Sequence, residues 1–212
     1  MYVQRVIMPE LTLNSWLRTG NGNIAWTIIK PLPLDIKEEI AMNERKGIIT
    51  MGGTPLTLVG NQVRIGDKAP DFDVLDNDLS PVKFSSFLGK VCILSSVPSL
   101  DTPVCDTETR RFNEEAGRLN SNVVVLTISM DLPFAQKRWC GAAGVERVLT
   151  LSDHRDASFG MSYGLLIKEL RLLARAVFVV DGNGVIQYVD LVKEMTEEPD
   201  YDSVLTSVKR LS

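Results

Sequence analysis

The stretch Val91-Cys92-Ile93-Leu94-Ser95-Ser96-Val97-Pro98-Ser99-Leu100-Asp101-Thr102-Pro103-Val104-Cys105 holds an apolar run, a proline stop and a cysteine at the threshold of a helix. Val91 to Ser96 reads as a buried strand, and Pro98 ends it because proline cannot donate to a sheet ladder. Downstream, Phe112, Ala116 and Leu119 recur at helical spacing, which puts Cys105 in the first turn of an amphipathic helix. A first turn presents unpaired backbone N–H groups and the positive end of the helix dipole, and both favour thiolate over thiol. The thiolate is the nucleophile, so this stretch points to sulfur chemistry.

The surrounding sequence reads as strands alternating with helices. Upstream, Leu56 to Val59 and Val63 to Ile65 flank Gly60-Asn61-Gln62, a β-hairpin signal, and Phe72 to Leu75 is an extended entry. Val123 to Ser129 is a second apolar strand; Pro133 opens a helix running to about Cys140, which Gly141 and Gly144 close. Val148 to Leu151 is a short strand, Ala157 to Tyr163 a short helix, and Ala176 to Val180 a third apolar strand. Asp181-Gly182-Asn183-Gly184 turns that strand back into Val185 to Leu191, and Tyr201, Val204, Leu205 and Val208 make a closing helix. The order predicts a three-layer α/β domain over residues 46–212, with a mixed central sheet.

Composition narrows the partners. The 212 residues are 44% hydrophobic and 24% charged, which suits one globular domain with a sizeable core and an appended segment. A net charge of −4, with no block of Lys or Arg, argues against nucleic acid or an anionic membrane as partner. No apolar run approaches the roughly 20 residues needed to cross a bilayer. Cys92, Cys105 and Cys140 are too few and too scattered for a disulfide scaffold, which points to a reducing compartment, the cytoplasm.

Residues 1–41 contain Gly20-Asn21-Gly22-Asn23 and Lys30-Pro31-Leu32-Pro33-Leu34 but no sustained period of 2 or 3.6. They also lack the charged start and unbroken apolar run of a secretory leader. Lys37-Glu38-Glu39 can be encoded by a purine-rich string resembling a bacterial ribosome-binding site, two codons ahead of Met42. Translation is therefore expected to begin at Met42, the rival being a genuine unstructured arm; intact mass of the protein from its native host decides between them.

Pro98, Thr102 and Cys105 reproduce the Pro-x-x-x-Thr-x-x-Cys signature of the peroxiredoxins, directly after an apolar strand. Leu132-Pro133-Phe134-Ala135-Gln136, Arg138-Trp139-Cys140-Gly141, Leu173-Ala174-Arg175-Ala176-Val177 and Glu197-Glu198-Pro199-Asp200-Tyr201 extend the likeness. Over about Ile48 to Leu211 the chain resembles the thiol peroxidase branch, the atypical two-cysteine peroxiredoxins, whereas residues 1–41 have no counterpart there. The resemblance implies a thioredoxin-like fold and a hydroperoxide reductase without metal or organic cofactor. It implies Cys105 as the attacking thiolate, Arg175 beside the sulfur as a permanent cation, Thr102 as a bridging hydroxyl and Pro98 as a shield from water. Cys140 is then the resolving thiol, on a separate helix and too distant in the reduced fold to bond directly. Local unwinding, re-reduction by a thioredoxin-like partner and a homodimer are implied as well.

Other residues read more plainly. Cys92 is expected as a packed small hydrophobe in its strand, and His154, between Asp153 and Arg155, as part of a solvated loop. Asp101, Asp106 and Glu108 would disfavour a thiolate if they pointed at Cys105, so they are expected to face solvent or cap the helix. A thioredoxin-type reductase would need Cys-x-x-Cys, and Glu108 stands where its second cysteine would be. A cysteine hydrolase would need His154 at Cys105, and a zinc site lacks paired cysteine spacing. The remaining alternative is a peroxide-sensing switch or chaperone-like thioredoxin-fold protein, which oxidises once and waits.

Overall fold

Every residue of Val91–Ser96 is buried, as a strand covered on both faces requires. The computed structural model describes residues 17–18, 24–25 and 43–211. The expectations for residues 1–41 lie outside the described residues, except that strands β1 (Leu17–Arg18) and β2 (Ile24–Ala25) pair antiparallel.

The central sheet is built from β5 (Asp73–Leu75), β6 (Pro81–Lys83), β7 (Val91–Ser96), β8 (Val123–Ser129), β9 (Leu149–Ser152), β11 (Ala176–Val180) and β12 (Ile186–Leu191). Its order is β12-β11-β7-β8-β9-β5-β6. Strands β7, β8 and β9 run parallel, joined by helices α1 (Pro103–Ala116) and α2 (Pro133–Ala143). The outer strands pair antiparallel, so the sheet is mixed. Alternation along the strands sorts the core into two halves. Val91, Ile93, Val177 and Val179 join Phe112 of α1, Trp139 of α2 and Val204 of α4 (Tyr201–Lys209). Leu94, Phe178 and Val180 face the other way, toward Phe159 of the short helix α3 (Ser158–Ser162) and Leu58 of a smaller sheet. The three layers are therefore helices, mixed sheet, and a second covering made by α3 and three antiparallel strands.

That smaller sheet has the order β10-β4-β3, with β3 (Glu44–Met51), β4 (Thr54–Val59) and β10 (Leu166–Ile167). It supplies the N-terminal hairpin, but the turn is at Gly52 and Gly53, both with positive φ. Val63 to Ile65, expected as the return strand, is irregular. Gly60 serves a close approach instead. At φ +108°, its backbone runs against α3, where Asn61 N–H donates to the Met161 carbonyl at 2.8 Å. A Cβ at Gly60 would lie 2.2 Å from the Met161 oxygen, whereas at Gly66 (φ +92°) it would meet nothing within 4 Å. Gly60→Ala is thus expected to cost about 2 kcal/mol or more in urea unfolding, and Gly66→Ala clearly less.

Two further boundaries differ from the sequence reading. Gly141 lies inside α2 rather than closing it, and Gly144 alone ends the helix, left-handed at φ +65°. Helix α1 stops at Ala116, so Leu119 packs against the core from beyond it.

Candidate active site

Cys105 is the third residue of α1, entered through Thr102 and Pro103. Pro103 suits the first helical position, where its missing N–H has no intrahelical duty. Thr102 is the N-cap by backbone, but its hydroxyl makes no helix-capping bond. It lies 2.8 Å from Cys105 Sγ and 3.0 Å from the Ser99 carbonyl. One hydroxyl carries one proton, so Thr102 donates either to the carbonyl while the thiol is protonated or to the sulfur once it is not.

The third partner arrives from across the sheet. Arg175, immediately before β11, donates through Nη2 to Cys105 Sγ at 3.3 Å and is 1% exposed. Its Nε and Nη2 also donate to the Met195 carbonyl, at 3.3 and 3.1 Å, and Nη1 pairs with the buried Glu108 carboxylate. Glu108 accepts a second bond from Ser95 Oγ at 2.7 Å. Burial disfavours charge on Arg175, but Glu108 and the sulfur outweigh it and hold the guanidinium above its ordinary range. Burial pushes the Glu108 carboxyl up, against the pull of Arg175 and Ser95. The expectation that Glu108 faces solvent is overturned: it is fully buried, on the face of α1 that meets β7 and β11. Asp101 does face solvent, 3.6 Å from Arg138, and Asp106 pairs with Arg110 at 2.8 Å.

Met195 is itself anchored. Its N–H donates to Thr50 O at 2.9 Å, and the neighbouring Glu194 accepts from Gly53 N and Gly52 N at 3.0 Å each and from Thr50 Oγ1 at 2.8 Å. These donors, that of Gly53 foremost, hold the Glu194 carboxyl down at about 2. The hairpin turn and the loop carrying the Arg175 acceptor are thus one hydrogen-bonded unit. Nothing in the sequence near Arg175 signals this, because the donors lie more than a hundred residues away.

Cys140 is half-buried on α2, with Sγ 3.2 Å from Thr150 Oγ1, which in turn accepts from Asn77 Nδ2 at 2.9 Å. It lines a cavity of about 310 Å³ floored by Val82, Phe87 and Leu151. Its thiol and that of Cys105 are both free. Pro98 is buried in the loop leaving β7. Cys92 is buried in β7, where burial pushes its thiol up to about 12 and leaves it a packed hydrophobe. His154 lies in the turn after β9, the loop expected of it, and is half-buried there, with Nδ1 2.8 Å from Ser152 Oγ.

Asp153, beside it, is buried and accepts from Phe159 N at 3.0 Å and Gly160 N at 2.8 Å; burial outweighs those bonds and lifts its carboxyl to about 6. A folded value above the unfolded one means the folded state binds the proton more readily. The resulting stabilisation is complete below about pH 4 and is lost as pH rises through about 6. Urea midpoints should show Asp153→Asn removing a decline of up to about 3 kcal/mol between pH 4 and 7.

Among the described residues no group of His, Cys, Asp and Glu is arranged to hold a metal ion, and no helix is long and apolar enough to cross a membrane. The arrangement offers a cysteine at a helix N-terminus with a hydroxyl and a guanidinium converging on its sulfur. A family model described as Redoxin matches residues 64–205, more than half of the chain. The chain belongs to the Redoxin family. Within that family it is similar to the thiol peroxidase of Halalkalibacterium halodurans, 59% identical over 161 residues that cover 76% of this chain and 96% of the relative. The thiol peroxidase of Bacillus subtilis is 56% identical over 163 residues, covering 77% and 97%. A crystal structure of a peroxiredoxin-like protein from Aquifex aeolicus superposes with TM-score 0.74 at 42% identity, covering 80% of this chain and 99% of that one. A thiol peroxidase from Chromobacterium violaceum, at 20% identity and TM-score 0.69 over 76% and 95%, shares the fold. This Redoxin is thus thioredoxin-like in fold and a peroxiredoxin-type peroxidase by kinship.

Proposed function

We propose that this chain reduces hydrogen peroxide and organic hydroperoxides with Cys105 as the attacking thiolate and Cys140 as the resolving thiol, recycled by thioredoxin or a similar dithiol. The observation that carries the reading is the convergence of Thr102 Oγ1 and Arg175 Nη2 on Cys105 Sγ, at 2.8 and 3.3 Å. The thiolate attacks one peroxide oxygen in line; the O–O bond breaks, an alcohol or water leaves with one proton, and Cys105 becomes a sulfenic acid. Arg175 supplies positive charge where the departing oxygen becomes negative, and Thr102 orients the peroxide. Pro98, buried in the loop leaving β7, keeps water from the sulfur. The Cys140 thiol then attacks the sulfenic sulfur, forming the disulfide and releasing water. A dithiol partner reduces that disulfide and is itself oxidised. Both thiols must return to the reduced state each turn, which favours a reducing compartment such as the cytoplasm.

The test is peroxide consumption by purified protein with thioredoxin, its reductase and NADPH. Many equivalents consumed per chain support the proposal; a single equivalent would favour a redox switch instead. Sedimentation of the same preparation reads the homodimer that the family likeness suggests.

A further inference from the structure

Resting on the assignment of Cys105 and Cys140 above, we propose that Asp106, Arg110 and Trp139 form a latch between the two cysteine-bearing helices. The latch sets how the sulfenic acid divides between disulfide and further oxidation. Asp106 directly follows Cys105 on α1, and Trp139 directly precedes Cys140 on α2. The Trp139 indole Nε1–H donates to Asp106 Oδ1 at 3.1 Å, and Arg110 Nε donates to Asp106 Oδ2 at 2.8 Å. Arg110 Nη1 also donates to the Ala143 carbonyl, in the last turn of α2, at 2.8 Å, and its guanidinium lies 5.7 Å from the Trp139 ring centre. Three side chains therefore tie the two helices at three points, each within a helical turn of a reactive thiol.

These ties oppose the step that must follow peroxide attack. A disulfide needs Cα atoms closer than about 7 Å, and Cys140 must leave Thr150 to reach Cys105. With Asp106 and Trp139 joined, neither cysteine can swing out of its helix without breaking that bond. While the latch is closed, the sulfenic acid can meet a second peroxide: the peroxide O–O bond breaks, an oxygen is added to sulfur, water or an alcohol leaves, and an irreversible sulfinic acid remains. While it is open, the Cys140 thiol attacks and water leaves. The rate of resolution is the intrinsic rate multiplied by the open fraction, so the latch sets the partition. The Asp106 and Arg110 side chains are 35% and 45% exposed, so water competes for these bonds and the latch can open readily.

The experiment uses Arg110→Met, which keeps an apolar stem over Trp139 but removes the bonds to Asp106 and to the Ala143 carbonyl, and Trp139→Phe, which keeps a ring but loses the indole donor to Asp106. Each is mixed with one equivalent of hydrogen peroxide, quenched, and assayed by mass spectrometry for the disulfide and for sulfinic acid. Disulfide formation is expected to be roughly three- to tenfold faster in both variants. The peroxide concentration that drives half of Cys105 to sulfinic acid should rise by a similar factor. Formation of the sulfenic acid, measured in a Cys140→Ser background, should not change. A disulfide forming at the wild-type rate in the variants would overturn the latch alone; a wild type that forms no Cys105–Cys140 disulfide would overturn the parent assignment too. Should Trp139→Phe fail to fold, Arg110→Met carries the test at a solvent-facing position.

Discussion

Cys105→Ser is expected to abolish peroxide consumption, by on the order of a thousandfold or more, while Cys140→Ser makes a single turnover, with at most further oxidation of the same sulfur, and stops. The two results have different causes. A serine hydroxyl at the start of α1 keeps the hydrogen bonds from Thr102 and Arg175. It remains protonated at neutral pH and cannot attack oxygen as a thiolate does. Cys140→Ser leaves that attack intact, because Cys140 contacts Thr150 and not the Cys105 sulfur. The variant therefore reaches the sulfenic acid at the wild-type rate and lacks only the thiol that would remove it. Coupled NADPH oxidation reads the turnover, and intact mass shows the added oxygen. Multiple turnover by Cys105→Ser would displace that residue from the centre of the mechanism.

Arg175→Met is expected to be the most damaging change outside the cysteines, in rate and in stability at once. The guanidinium serves the sulfur, the Glu108 carboxylate and the Met195 carbonyl together. Removing it leaves Glu108 buried with only Ser95 as partner, and orphaning one member of a buried pair costs about 3–5 kcal/mol. The rate of Cys105 oxidation should fall by about a hundredfold or more, the scale on which lost electrostatic stabilisation acts. A companion variant separates these effects. Adding Glu108→Gln removes the stranded charge, so the double variant should regain part of the urea midpoint without regaining the rate. Recovery of both together would mean that Arg175 acts only through folding. Retention of near wild-type rate by Arg175→Met would remove the cation from the mechanism.

Much of this site was legible because it is local. The proline stop, Thr102 and Cys105 lie within eight residues, and strand ends and helix starts are written in side chains that act on their immediate neighbours. Glu108 was misjudged because its role is not local: at three residues from Cys105 it looked like a charge to be kept in solvent. Only the fold brings Arg175 to it from 67 residues away. The hairpin was misplaced for a related reason. Gly60-Asn61-Gln62 and Gly52-Gly53 both permit a reversal, and what decides between them is the pressure of Met161 on Gly60, a contact made by α3. Gly141 reads as a helix end by propensity, yet packing of Trp139 and Ala143 carries α2 past it.

The Redoxin match begins at residue 64 and so leaves the β3–β4 hairpin outside it, yet Glu194, well inside, directs its carboxylate to Thr50, Gly52 and Gly53. The family model and the hydrogen bonding draw different borders around the same machine. A recombination event that exchanged the hairpin for another leader would strip Glu194 of its donors and unseat the carbonyl that steadies Arg175. The hairpin and the loop after β12 are in that sense a single heritable module, encoded at opposite ends of the domain.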